Sequence, residues 1–206
     1  MIETSDETSL DPRIRRTRKL LQDSLSALLE SKSFSDLSIT DICKQADIAR
    51  VTFYQHYENK EALLVASVAD FFTGLYKTVD QDALDRYLET GEAGAINSTR
   101  QVNSAEPTQM KLISVALQYT GDAVRKLAIS SFLETYSQHE TALDERETQV
   151  LATFYVGGIL TLLEHFLSGQ VAISRAEFQT ATLTLLRTLR QGAVQSNILH
   201  GLGLES

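Results

Sequence analysis

Between Arg50 and Lys60 the chain reads RVTFYQHYENK, a run in which guanidinium, hydroxyl, amide, imidazole and ammonium groups alternate with aromatic rings. On a helix advancing about 100° per residue, Phe53 points one way while Val51 and Gln55 point the other. Phe53 is then the core side. Arg50, Val51 and Gln55 make a free face whose guanidinium, methyl and amide groups complement base edges in a DNA major groove. Thr52, Tyr54 and His56 flank that face, where hydroxyls and an imidazole N–H suit phosphate oxygens. Lys60 brings an ammonium to the first turn of the next helix, beside free backbone N–H groups. Ser38, at the start of the preceding helix, joins these as a candidate DNA contact. Upstream, five of the seven residues Arg13 to Lys19 are cationic. Composition alone makes that run a solvated helix end, but beside this motif Arg15, Arg16 and Lys19 are expected to clamp the phosphate backbone.

These side chains need helices to hold them. Only Pro12 and Pro107 interrupt the chain, and apolar residues recur at helical spacing almost everywhere between. Asp11 before Pro12 is a helix start, with Leu21, Leu25, Leu28 and Leu29 as the buried stripe of a first helix ending near Ser31. Ser38 with Asp41 resembles a capping box for a short second helix carrying Ile42 and Ala46. A turn at Asp47 and Ile48 leads to a third helix from about Arg50 to His56. Asn59 can cap a fourth, with Leu64, Val68, Phe71, Phe72 and Leu75 inward. The stretch Gly91 to Thr108 lacks periodicity and is expected to be a loop. Beyond it Met110–Tyr119, Asp122–Gln138, Leu143–Ser168 and Arg175–Gln195 read as four helices. The predicted architecture is all-α: a disordered tail over 1–11, a helix-turn-helix domain over 12–58, and a helical regulatory and dimerisation domain over 59–206.

A chain of 206 residues, 43 % of them hydrophobic, is long enough to bury a real core. The uncharged run Val150 to Leu163 spans 14 residues, too few for a bilayer, and reads as a buried helix. Met1 to Asp11 is polar where a signal peptide needs an apolar region, so a cytoplasmic location is expected. Cys43 is the single cysteine, which rules out an intramolecular disulfide and a two-cysteine metal site. His139 and His165 lack metal-ligand spacing, so no metal or cofactor is expected. No glycine-rich phosphate loop, nucleophile elbow or paired carboxylates point to an enzyme. The net charge of −8 argues against nonspecific nucleic-acid coating. From Arg13 to Lys60, however, nine cations face six acids, whereas residues 65–206 carry ten against sixteen. The cationic charge is local to the motif.

The stretch Leu37 to Leu64, above all Thr52, Phe53, Tyr54, His56, Tyr57, Asn59, Lys60, Glu61 and Leu63, resembles the signature of TetR-type regulators. Ile39, Asp41, Ile42 and Ala46 fall where that signature has its second helix. The resemblance implies an all-helical fold of nine or so helices, a homodimer on operator DNA, and a variable C-terminal domain that usually senses a small molecule. Asp47 stands where the family mostly has a turn glycine, Ala49 where it has a serine cap, and Val51 where glycine is frequent. Asp strains a left-handed turn and Ala offers no cap oxygen, together costing about 1–2 kcal/mol if nothing substitutes.

In the C-terminal half, Gly157 and Gly158 each weaken a helix by about 1 kcal/mol relative to Ala, a loss that makes sense where a second backbone comes close. Tyr155, Gly157, Gly158, Leu162, Phe166, Leu183 and Leu186 are the candidate dimer contacts, on what the resemblance makes the last two helices. Phe71, Phe72, Tyr76, Tyr119, Phe132 and Tyr136 are candidates for an effector pocket, although aromatics at helical spacing are more often core. The run Phe154 to Leu160 with Ser174 also resembles a C-terminal domain found among such regulators in Firmicutes. One type there is a coactivator that binds a kinase-like partner. Two outcomes are therefore expected: a repressor released from a palindromic operator by an effector, or a DNA-bound adaptor whose C-terminal domain docks a protein.

Overall fold

The computed structural model describes residues 11–77, 106–136 and 144–196, with the backbone alone described at 74–77, 135–136 and 190–196. Among these residues there are seven helices and no strand: α1 (Pro12–Leu29), α2 (Ile39–Ala46), α3 (Arg50–His56), α4 (Lys60–Lys77), α5 (Pro107–Tyr136), α6 (Glu145–Leu167) and α7 (Arg175–Ser196). The tail expected over 1–11 and the loop expected from Gly91 fall mainly outside the described residues.

Local chemistry accounts for most boundaries. The Asp11 carboxylate accepts the Arg13 amide N–H at 2.8 Å, with Pro12 at the first helical position. Ser38 and Asp41 form a reciprocal capping box: the Asp41 amide donates to the Ser38 hydroxyl at 3.1 Å, and the Ser38 amide to the Asp41 carboxylate at 3.0 Å. Asn59 Oδ1 accepts from the Ala62 N–H at 2.7 Å and opens α4. Asp144 with Glu147 and Ser174 with Glu177 do the same for α6 and α7. Gly169, at φ +73, closes α6 in the left-handed conformation that glycine adopts without strain.

Within Pro107–Tyr136 two helical runs meet at a kink at Thr120 (φ −135°, ψ 27°), in agreement with the two helices expected over Met110–Tyr119 and Asp122–Gln138. Just before the kink the Thr120 hydroxyl donates to the Ala116 carbonyl at 2.7 Å, a local bond that competes with continuation of the helix.

The chain divides into two compact units at places other than residue 58: Met1–Val68 with Pro107–Thr120, and Ala69–Glu106 with Gly121–Ser206. The first unit is built on Leu21, Leu25, Phe34, Ile42, Phe53, Leu63, Leu64 and Ile113, all at most 2 % exposed. In the second, α6 packs against α7: the Tyr155 hydroxyl donates to the Thr182 carbonyl at 3.4 Å, Phe166 lies 5.3 Å from Phe178, and Phe132 lies 5.6 Å from Tyr155. At 23 residues, α6 falls within the helix expected over Leu143–Ser168 and is long and apolar enough by composition to cross a membrane. The burial of Leu151, Ala152, Tyr155, Val156, Leu160 and Leu163 makes it the core helix of this unit.

Candidate nucleic-acid interface

Helix α3 sorts its side chains by angle as its sequence requires. Phe53 is fully buried, edge-on to Tyr54 with ring centroids 5.6 Å apart and tilted against Tyr57 at 5.9 Å. On the other side Val51 is 68 % and Tyr54 48 % exposed, with Arg50 and Gln55 exposed beside them. A single large ring thus anchors a helix of seven residues while its opposite face stays open. Arg50 Nη2 donates to the Tyr54 hydroxyl at 3.4 Å, one turn along, and its guanidinium lies 6.0 Å from that ring. The pair holds a cation on the free face.

The turn that aims α3 is built on Asp47, at φ +54° and ψ +44°, the left-handed conformation that glycine would take more easily. Its N–H and that of Ile48 tie back to α2, Ile48 N–H donating to the Cys43 carbonyl at 3.0 Å. Ala49 makes no side-chain cap bond to α3, as its methyl dictates. An open cavity of about 360 Å³ beside this turn is lined by Thr40, Cys43, Lys44, Asp47, Ile48, Ala49 and Arg50. Burial pushes the Cys43 thiol up from its ordinary pKa, opposed by the nearby Arg50 charge, so it stays protonated near neutral pH.

Thr52 and His56 are half-buried at the edges of the exposed face. Partial burial, with the Arg18 charge adding to it, holds the His56 imidazole below its ordinary 6.5, so it is neutral at pH 7 and keeps an N–H to donate. Arg15, Arg16 and Lys19 are exposed on α1, Lys19 paired with Asp23 at 3.3 Å. Arg18 is the residue that reading the sequence missed. Its Nε is buried and has no hydrogen-bond acceptor among the described residues. Its signal was present only as one more cation in a basic run.

Lys60 and Ser38 are occupied otherwise than expected. The Lys60 ammonium donates to the carbonyls of Phe34 and Leu37, each at 2.8 Å, and lies 4.6 Å over the Phe34 ring. It pins the α1–α2 loop instead of pointing its charge outward. The Ser38 hydroxyl gives its hydrogen to the Asp41 carboxylate at 2.6 Å, and these bonds hold that carboxyl below the usual range. Its place is the cap of α2.

In the C-terminal unit, Tyr155 and Leu186 are 7 % and 4 % exposed and belong to the core, which corrects their assignment to a dimer face. An apolar helix gives no phase from sequence alone. Leu162, Phe166 and Leu183 are half-buried. The residues left outside are Val150, Phe154 at 68 %, and Leu185 at 49 % exposed. Added Cβ atoms at Gly157 and Gly158 would meet nothing within 4 Å. Among the pocket candidates, Phe71, Phe72 and Phe132 are buried, Phe71 edge-on to Phe72 at 5.3 Å. Tyr119 is 43 % exposed and its ring is tilted against that of Phe34 in the first unit. The side chains of Tyr76 and Tyr136 lie outside the described residues.

Residues 23–67 match the family described as bacterial regulatory proteins, tetR family. Over 63 residues the chain is 43 % identical to the uncharacterized HTH-type transcriptional regulator YxbF of Bacillus subtilis, covering 30 % of this chain and 17 % of that protein. It is 35 % identical over 48 residues to the dhaKLM operon transcriptional activator DhaS of Lactococcus lactis, covering 23 % of this chain and 26 % of that one. The matched stretch therefore spans about a quarter or less of these relatives. Along nearly the whole chain the fold is similar to that of the TetR family repressor AlkX of Dietzia, with a TM-score of 0.59 at 16 % identity, covering 86 % of this chain and 97 % of that one. Residues 23–67 thus carry the helix-turn-helix segment of the tetR family of bacterial regulatory proteins, and the helical fold around it is similar to that of solved TetR-type structures.

Proposed function

We propose that the chain is a DNA-binding transcription regulator that sits as a homodimer on a palindromic operator, with α3 of each protomer in successive major grooves. The observation that carries this reading is the division of α3 into a buried Phe53 and an open Arg50, Val51, Tyr54 and Gln55 face. Guanidinium, methyl and amide groups on that face supply the contacts that distinguish base pairs. Arg15, Arg16, Arg18, Thr52 and His56 supply donors for the flanking phosphates. Binding at the operator blocks transcription, and an effector that favours a wider separation of the two reading helices releases it. Phe154, Val150 and the open space before Gly157 and Gly158 lie along one side of α6 and suit a closely approaching second α6.

One comparison favours a second reading of the sign of regulation. DhaS, similar over part of the helix-turn-helix, is an operon activator by its name, and a structure of DhaS shares this fold with a TM-score of 0.53 at 15 % identity. In that reading the C-terminal unit docks a protein in place of a small molecule.

The test is enrichment of genomic DNA fragments by the purified chain at two salt concentrations, beside a variant carrying Arg50→Ala and Tyr54→Ala. Selective, salt-sensitive enrichment of a palindrome that the variant loses is the expected result. Equal enrichment by both proteins, or by neither, overturns the assignment of α3 as the reading helix.

A further inference from the structure

We propose that Tyr119 is a positioning residue that clamps the α1–α2 loop and thereby sets how well α3 engages DNA, an inference that rests on the DNA-binding reading above. The contacts run in one line. The Tyr119 ring lies 5.0 Å from Phe34, tilted by 55°. The same Phe34 ring also carries the Lys60 ammonium, 4.6 Å from its centroid. That ammonium also holds the carbonyls of Phe34, Ser35 and Leu37, at 2.8, 3.4 and 2.8 Å. The next residue, Ser38, caps α2, and α2 leads through the Asp47 turn into α3. A shift of the Phe34 ring is therefore passed toward the α2 cap through the Lys60 bonds and the chain from Phe34 to Ser38.

Tyr119 stands out because burial does not explain it. At 43 % exposed it contributes little to the core, yet it is the one residue of α5 whose ring touches Phe34 among the aromatic contacts of the described residues. The helix breaks at the very next residue, Thr120, and beyond it Gly121 has open space around its Cα. Helical geometry at this point is thus adjustable at low cost, and Tyr119 is the first side chain to respond. Pro107–Thr120 clusters with residues 1–68, so this half of α5 is part of the reading head itself.

The experiment compares the full chain with Tyr119→Phe and Tyr119→Ala by three measurements: affinity for the DNA fragment that wild type selects, amide hydrogen exchange without DNA, and thermal midpoint. An aromatic pair converts to a roughly two- to tenfold effect on an equilibrium. Tyr119→Ala is expected to bind the fragment more weakly within that range, at unchanged sequence preference and salt slope, with faster exchange confined to residues 34–46. Tyr119→Phe, which keeps the ring, is expected to match wild type. Unchanged affinity in Tyr119→Ala overturns the proposal, as does faster exchange spread evenly over α1 to α4, which reports general loosening. If wild type selects no DNA, the DNA-binding reading fails on its own. Exchange then decides the clamp: faster over 34–46 in Tyr119→Ala supports it, and no change there overturns it.

Discussion

Replacing Lys60 by Met removes three donors and a charge while keeping the length and apolar stem of the side chain. The structure gives the ammonium two short bonds, to the Phe34 and Leu37 carbonyls at 2.8 Å, and the face of the Phe34 ring. Charge-assisted bonds are worth about 1.5–3 kcal/mol each, offset by up to about 2 kcal/mol for ordering the lysine chain. With the full ordering cost the net loss is then about 1–4 kcal/mol. For a chain of this size 1 kcal/mol shifts the midpoint by about 2–4 °C, so Lys60→Met should melt roughly 2–16 °C lower. Thermal unfolding followed by circular dichroism reads this directly, and DNA affinity against salt is the companion measurement. A lysine that holds no phosphate leaves the salt slope unchanged, whereas losing a phosphate contact lowers it by about 0.9. A midpoint within about 1 °C of wild type together with that drop in slope would show that the ammonium serves DNA and that the pin is wrong.

His56 is held below its ordinary 6.5 in the folded chain, first by burial and then by Arg18. Below that pH the unfolded chain takes up the proton before the folded chain does, so stability should fall as pH drops from neutral. His56→Gln should flatten this part of the urea-midpoint profile; an unchanged slope places the titration elsewhere. Asp47 adopts φ +54°, so Asp47→Gly should raise unfolding free energy by about 0.5–1 kcal/mol in urea melts, and a loss would mean that the carboxylate has a role of its own. Phe154 is 68 % exposed, so Phe154→Glu should leave helicity intact and shift sedimentation from dimer to monomer. A dimer that persists moves the interface off this side of α6.

The elements of the reading head were legible because their signals are local. Asp11 with Pro12, Ser38 with Asp41, and Asn59 cap helices within three residues of themselves, and the phase of a seven-residue helix is fixed by one ring, Phe53. Asp144 with Glu147 and Ser174 with Glu177 carry the same kind of local signal at the starts of α6 and α7. Lys60 was not legible, since its acceptors are backbone carbonyls 23–26 residues earlier, and no side-chain type announces a carbonyl. Tyr155 was misplaced because α6 is apolar on most of its surface, and hydrophobicity without periodicity cannot say which face is inward. Tyr119 looked like a pocket residue by type; only the path of α5 puts it beside Phe34.

The most direct test of α3 as the reading helix is the base preference of Arg50→Ala and Val51→Ala, determined by selection from randomised half-sites alongside wild type. Both side chains are exposed, so melting should be unchanged. Each variant is predicted to relax preference at one or two base pairs per half-site, by about 1–3 kcal/mol of discrimination, while keeping the rest of the operator. Preferences identical to wild type at every position in both variants would contradict the account, because a helix that reads DNA cannot lose these groups unnoticed.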